Sequence, residues 1–235
     1  VDTWRALAAR NNAEWCDLVA RSQGLTGTRW AADAWTSPAR TPPLYPDAVT
    51  LVPDPSVPDL LARIDATAGC SVKDSFASCD LRPHGFRVLF EAEWIVATGA
   101  VSPLPPTGSG WEQVRDVAGL AAWERAWRAD DGPLGPFGAD LLDDDRVAVL
   151  ARRAGGGVVA GAIASRSERV VGISNFFAGP DADAAATGWS GCLALVAALF
   201  PGLAVVGYES GAALAAAIHH GFTPAGPLRV WRRDP

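Results

Sequence analysis

The chain has 235 residues, 49% of them apolar, and a formal net charge of −6. That is enough apolar material for a sizeable core in one or two domains. A net negative chain lacks the positive face that phosphate backbones demand, which argues against a nucleic-acid partner, and no apolar run approaches the roughly 20 residues of a membrane span.

Residues 3–22 set Trp4, Leu7, Ala8, Trp15, Leu18 and Val19 at helical spacing, with Asp2 or Thr3 to cap the start and Gly24 to end it. The spacing predicts an amphipathic helix, which Asn11-Asn12 could divide in two. This N-terminal stretch has no signal-peptide apolar core. Residues 24–46 lack any period and read as a long loop anchored by Trp30 and Trp35. A short strand is expected over 47–52, stopped by Pro53. Ser56, with Asp59 three residues on and Leu60-Leu61 following, predicts a capped helix to about Thr67. Residues 70–76 read as a strand and 79–84 as a short helix. Over 87–98 the chain alternates, with Val88, Phe90, Ala92, Trp94 and Val96 on one face and Arg87, Leu89, Glu91, Glu93 and Ile95 on the other. Residues 98–110 are rich in Pro, Gly and Ser and read as a linker.

A strand over 111–115 leads into a helix over 120–128, with Leu120, Trp123 and Trp127 on one side, and then a loop over 130–138. Strands over 146–152 and 158–165 flank Gly155-Gly156-Gly157, a hairpin signal with a loop longer than the favoured two residues. A third strand follows over 170–178, then a helix over 187–200. Residues 203–206 form a continuous apolar run after Pro201-Gly202, as in a buried strand. The Ala- and Leu-rich stretch 210–220 is a strong helix former, and Gly221 stands where a left-handed C-terminal residue belongs. Residues 222–231 turn through Pro224, Gly226 and Pro227 into a last strand over 228–231.

Cys16, Cys70, Cys79 and Cys192 show no CxxC spacing and read as buried thiols of a reducing cytoplasm, with a disulfide left open. No Cys/His cluster has zinc spacing. Asp143-Asp144-Asp145 reads as a solvated turn, since a calcium loop alternates its acids. No Gly-x-Ser-x-Gly string occurs. The chain's one lysine, Lys73, sits among many arginines and reads as compositional bias.

The closing strand–helix–strand unit, with His220-Gly221-Phe222 at the helix end and Ala213 upstream, resembles the GNAT (GCN5-related N-acetyltransferase) superfamily. From residue 111 the order is strand, helix, loop, three strands, helix, strand, helix, strand, which is similar to the superfamily's order. The resemblance implies an α/β fold (an α+β mixed sheet) in which 111–235 is a GNAT-like acyltransferase domain. Residues 1–105 then form a smaller, partial GNAT-like half with the amphipathic helix at its start. The segments 47–52, 56–67, 70–76, 79–86 and 87–98 echo the later order, and His-Gly-Phe recurs at 84–86. An internal repeat and a chance identity of three residues both stay open.

What the resemblance implies is transfer of an acetyl or other acyl group from acyl-CoA to an amine of a small molecule or peptide. The pyrophosphate would lie on amides near a helix N-terminus in 179–191, at Thr187, Gly188, Trp189, Ser190 and Gly191. The usual Arg or Gln of that loop is absent and Asp181 and Asp183 add negative charge, so Thr187 as a plain helix cap is the competing reading. The pantetheine arm would pair along Asn175, Phe176, Phe177 and Ala178, with Phe176 and Phe177 on opposite faces. Ala217 and Ser210 stand where the superfamily has a Tyr acid and an Asn. Tyr208, His219 and His220 are therefore the candidate donors to the leaving thiolate, the histidines alternatively serving only the helix C-terminus. Glu209, Glu91 and Glu93 are the candidate bases, each alternatively a solvated strand carboxylate. The alternative function is a non-catalytic GNAT-like binding or scaffold protein that has lost the phosphate loop and the acid. Neither reading involves nucleic acid, membrane or metal; both allow an oligomer. They share one requirement, that strands 170–178 and 203–209 splay apart.

Overall fold

The computed structural model describes residues 3–99, 110–128, 135–179 and 182–234, with backbone alone for 182–187. Most of the expected linker, the proposed boundary at residue 105, Asp181 and the start of the 130–138 loop lie outside the described residues. Helix α1 (Trp4–Ser22) starts where the Thr3 hydroxyl accepts the Ala6 N–H and stops before Gly24, whose φ is +76°. Asn11-Asn12 does not divide it. Both side chains are buried, and Asn11 Nδ2 donates to the Ser165 carbonyl at 2.8 Å and to Ser167 Oγ at 2.7 Å. Asn12 Oδ1 in turn accepts from Lys73 Nζ at 2.8 Å, and distant partners for both side chains remove the local competition that makes Asn a poor helix residue.

The stretch read as a loop over 24–46 contains two short strands, β1 (Arg29–Trp30) and β2 (Ala34–Thr36). Trp35 anchors it as expected, fully buried with its Nε1 donating to Asp17 at 2.9 Å. Strand β3 (Ala48–Thr50) follows, then α2 (Val57–Leu61), which ends well short of Thr67 and takes no side-chain cap from Ser56. Strand β4 (Ser71–Asp74), a 3-10 turn (Arg82–His84) and β5 (Phe86–Ala97) complete this part. Next come β6 (Trp111–Val114), α3 (Val117–Arg128) and a 3-10 turn (Ala139–Leu142). Strands β7 (Val147–Ala154) and β8 (Gly157–Arg166) form a tighter hairpin than expected. Ala154 pairs with Gly157, leaving Gly155-Gly156 as a two-residue turn with φ of +57° and +82°, the two positive values that a type I′ turn needs. The chain closes with β9 (Val170–Ala178), α4 (Ala182–Leu199), β10 (Ala204–Glu209), α5 (Gly211–His219) and β11 (Thr223–Arg233).

Among the described residues, all the strands join one 11-stranded sheet in the order β1-β2-β3-β4-β11-β5-β10-β9-β8-β7-β6. Two runs of it share a succession of senses. β1 to β4 pair antiparallel, antiparallel, parallel, and β7 to β10 do the same. Each run is extended by a strand from the other part of the chain: β4 pairs with β11, and β10 with β5. The sheet is covered on both faces. Val147, Val149 and Ala151 join the core under α1 and α3, while Ala148 and Leu150 join the core under α4 and α5, as the two-residue period dictates.

Three further expectations need correcting. β5 buries its alternating residues only from Ala92 onward; Val88, Leu89 and Phe90 are exposed, although Phe86 at the start of the strand is buried against Leu60 of α2. β11 starts five residues before the expected strand and includes Pro224 and Pro227. They are tolerated because this end pairs only with β5, with a bulge between Pro224 and Gly226, while pairing to β4 begins at Arg229. Finally, α4 starts at Ala182 rather than 187, since Ala-Asp-Ala-Ala-Ala is itself a good helix former.

Candidate functional site

β9 and β10 run parallel but hold only three residue pairs, Val170–Ala204, Val171–Val205 and Gly172–Val206. Beyond them the strands part. On β9 the register with β8 shifts between Ile163–Ser174 and Gly161–Phe177, so Asn175 and Phe176 together face Ala162. Asn175 takes a left-handed φ of +55° there. An extra residue in one strand bends it away from its neighbours, and the Tyr45 hydroxyl donates to Asn175 Oδ1 at 3.3 Å to hold the bend. At the fork sits Gly207, where an added Cβ would stand 3.1 Å from the Ile173 carbonyl oxygen.

The gap opens into a cavity of about 240 Å³. Its walls are Ile173 to Phe176 of β9, Tyr208 and Glu209 of β10, Asn12, Trp15 and Cys16 of α1, Leu44 to Pro46 from the β2–β3 connection, and Lys73 of β4. Because β9 leads into α4, the N-terminal end of α4 lies at the open end of the gap.

Four polar groups give this cavity its chemistry. Glu209 is half-buried with no partner among the described residues, and burial pushes its carboxyl up to about 7. Ser174 Oγ is buried and unpartnered among the described residues. Lys73 is 4% exposed and donates from Nζ to Asn12 Oδ1 at 2.8 Å and to the Tyr208 hydroxyl at 3.2 Å. An ammonium only donates, so the Tyr208 oxygen accepts and its own proton is left to donate elsewhere. The Tyr208 ring is fixed edge-on to Trp94 at 5.5 Å, with Lys73 Nζ 4.3 Å from its centroid.

The structure brings together Glu209, Tyr208, Asn175 and Phe176 among the residues singled out from sequence. Phe176 and Phe177 do face opposite ways: Phe176 stacks on Trp189 at 3.9 Å and Phe177 meets Trp123 edge-on at 5.4 Å. Ala178 ends β9, paired with Ala160. His219 is placed elsewhere. It ends the nine-residue α5, about 13 Å along the helix from the end that follows Glu209. Its ring lies 5.3 Å from that of His220, whose pKa is lowered first by burial and then by His219. Ser210 is exposed just before α5, makes no side-chain cap bond and does not line the cavity. Ala217 is fully buried in the core. Glu91 is engaged with Arg229 at 2.6 Å on the outer surface, and Glu93 is the cross-strand partner of Glu209.

The expectation that Gly188, Trp189, Ser190 and Gly191 stand at the helix start is corrected, since all four lie beyond the first turn of α4. The helix starts early, and Gly188, Trp189 and Gly191 pack there against aromatic rings. A Cβ on Gly191 would stand 2.3 Å from Trp111, one on Gly188 would stand 3.3 Å from Phe176, and Trp189 is buried between Phe176 and Phe222. Ser190 is exposed on α4. The backbone of Thr187 lies within α4, and its side chain is outside the described residues. Sequence reasoning missed Lys73, Asn12, Tyr45 and Ser174, which come from separate elements. The one available signal was the solitary lysine in a chain with 20 basic residues.

No family model and no curated protein matches the chain. Solved structures do. A GCN5-related N-acetyltransferase from Kribbella flavida matches with a TM-score of 0.62 at 16% identity, over 97% of this chain and 95% of that one. A protein assigned to the GNAT family from Novosphingobium aromaticivorans DSM 12444 gives 0.60 at 15% identity, over 97% and 99%. A protein of unknown function from Staphylococcus epidermidis ATCC 12228 gives 0.59 at 11% identity, over 89% and 94%.

Proposed function

We propose that this chain, which has the fold of the GCN5-related N-acetyltransferases, transfers an acyl group from acyl-CoA to a primary amine. The observation that carries the reading is the parting of β9 and β10 after Gly172 and Val206, with Glu209 and Tyr208 beside the gap. The β9 edge beyond Gly172 has no ladder partner on the β10 side, which suits pairing with an extended pantetheine arm. The buried Ser174 hydroxyl offers it a further hydrogen bond, and the N-terminal end of α4 favours the pyrophosphate. Bound there, acyl-CoA supplies the activated thioester carbonyl. Glu209, with a carboxyl near 7, takes the amine proton, and Tyr208 donates its hydroxyl proton to the departing thiolate in place of the absent acid at Ala217. Attack is direct and depends on positioning.

A repeat of two related halves is part of the same reading, with residues 1–105 and 111–235 as the units. The matching pairing senses of β1–β4 and β7–β10 support it. So do Gly85 and Gly221, with φ of +81° and +93°, each followed by a buried Phe. Four free, buried thiols support a reducing compartment such as the cytoplasm, and no helix among the described residues is long and apolar enough to cross a membrane.

The non-catalytic alternative draws on Ala217 and on the packing roles of Gly188, Trp189 and Gly191. Thermal denaturation with millimolar acetyl-CoA separates the two. A rise in Tm is expected by linkage. An unchanged Tm would remove acyl-CoA from the account and leave the alternative.

A further inference from the structure

Resting on the acyltransferase reading, we propose that the acceptor is an amino acid with an apolar side chain, its carboxylate held by Lys73. Lys73 is 4% exposed, yet both its hydrogen-bond partners are neutral oxygens, on Asn12 and Tyr208. No carboxylate forms an ion pair with it among the described residues. A buried ammonium without an anion is costly to keep, and Lys73 has three N–H donors with only two engaged. It therefore offers one donor and an uncompensated charge to whatever enters.

What it faces is open space on two sides. Lys73 and Tyr208 line both the β9–β10 cavity and an adjoining groove of about 490 Å³. The groove is walled by Pro42, Pro43, Leu44, Leu89, Phe90 and Val230. Leu44, Leu89 and Phe90 are 80%, 42% and 39% exposed, high values for large apolar side chains, so the groove invites an apolar group. Its other charges do not neutralise Lys73. Asp47 is bound to Arg40 at 2.9 Å, and Arg232 adds a second positive group at the rim.

An amino acid with an apolar side chain satisfies all of this: the carboxylate on Lys73, the side chain in the groove, and the amine directed to Glu209, which lines the β9–β10 cavity with Lys73. A polyamine would bring its positive charge against Lys73. An apolar amine without a carboxylate would leave that charge unanswered.

The test is calorimetric titration of the full chain with phenylalanine and with phenylalaninamide as probes, each with and without saturating CoA. Titrated at about pH 6, where both α-amines are protonated, the two probes differ in charge only at the carboxylate. Charge-assisted hydrogen bonding predicts that wild type binds the acid roughly tenfold or more tighter than the amide. Lys73→Met, which keeps the stem and removes the charge, should erase that preference; Lys73→Gln serves the same purpose if the Met variant misfolds. Equal affinities in wild type, binding of neither probe in either condition, or a preference that survives at Lys73→Met would overturn the proposal. A preference that depends on Lys73 but occurs without any binding of acetyl-CoA would keep the anion site and sink the acyltransferase reading instead.

Discussion

Replacing Glu209 by Gln should make the protein more stable at pH 8 while ending acyl transfer. Burial raises the Glu209 carboxyl from 4.5 to about 7, and each pH unit is worth about 1.4 kcal/mol. The ionised side chain therefore costs the fold on the order of 3 kcal/mol. Because the folded state holds the proton more tightly than the unfolded chain, stability falls as pH rises from about 4.5 to about 7 and stays lowered above that. Gln carries no such dependence. The gain in stability of Glu209→Gln over wild type should be near its minimum at pH 4.5 and approach about 3 kcal/mol at pH 8, roughly 6–12 °C in Tm for a chain of this size. Melting curves followed by circular dichroism at pH 4.5, 6, 7 and 8 read this directly. A difference in Tm that stays constant across the range would refute the burial argument. In wild type, acyl-transfer rate should climb as pH passes through about 7, the direction in which a base is freed of its proton.

Tyr208→Phe removes the proton donor proposed for the leaving thiolate, and kcat should drop by roughly 10² or more with KM for acyl-CoA little changed; steady-state kinetics giving the reverse split would make Tyr208 a binding residue. Gly221→Ala should lower stability by about 1–2 kcal/mol, because φ there is +93°. Open space surrounds the position, so a loss in urea unfolding much above that range would point to a steric role the structure does not contain.

Much of the second part of the fold was legible because its elements are long and strongly patterned. β9 over Val170–Ala178 coincides with the expected strand, and the left-handed glycine after α5 is where it was expected. What escaped has identifiable causes. β1 and β2 hold two and three residues, too few for a period to show. Pro224 and Pro227 disguised the start of β11, since a proline disqualifies only a strand that must donate on both sides. Of the site, Glu209 and Tyr208 were readable from their place at the end of a predicted strand. Lys73, Asn12 and Tyr45 were not, for they meet only once β4, α1 and the β2–β3 connection are folded onto one sheet. The bulge at Asn175 likewise depends on its register with β8.

The position of β5 between β10 and β11 has a consequence for how the protein is made. β5 ends at Ala97 and its nearer partner begins at Ala204, so synthesis must proceed roughly 100 residues further, on the order of 5–20 s at ribosomal speeds, before either edge is satisfied. During that wait a nascent strand bearing Val88, Leu89 and Phe90 is open to wrong neighbours. Expression of residues 3–99 alone should yield insoluble material, with solubility recovered when the remainder of the chain is supplied in trans.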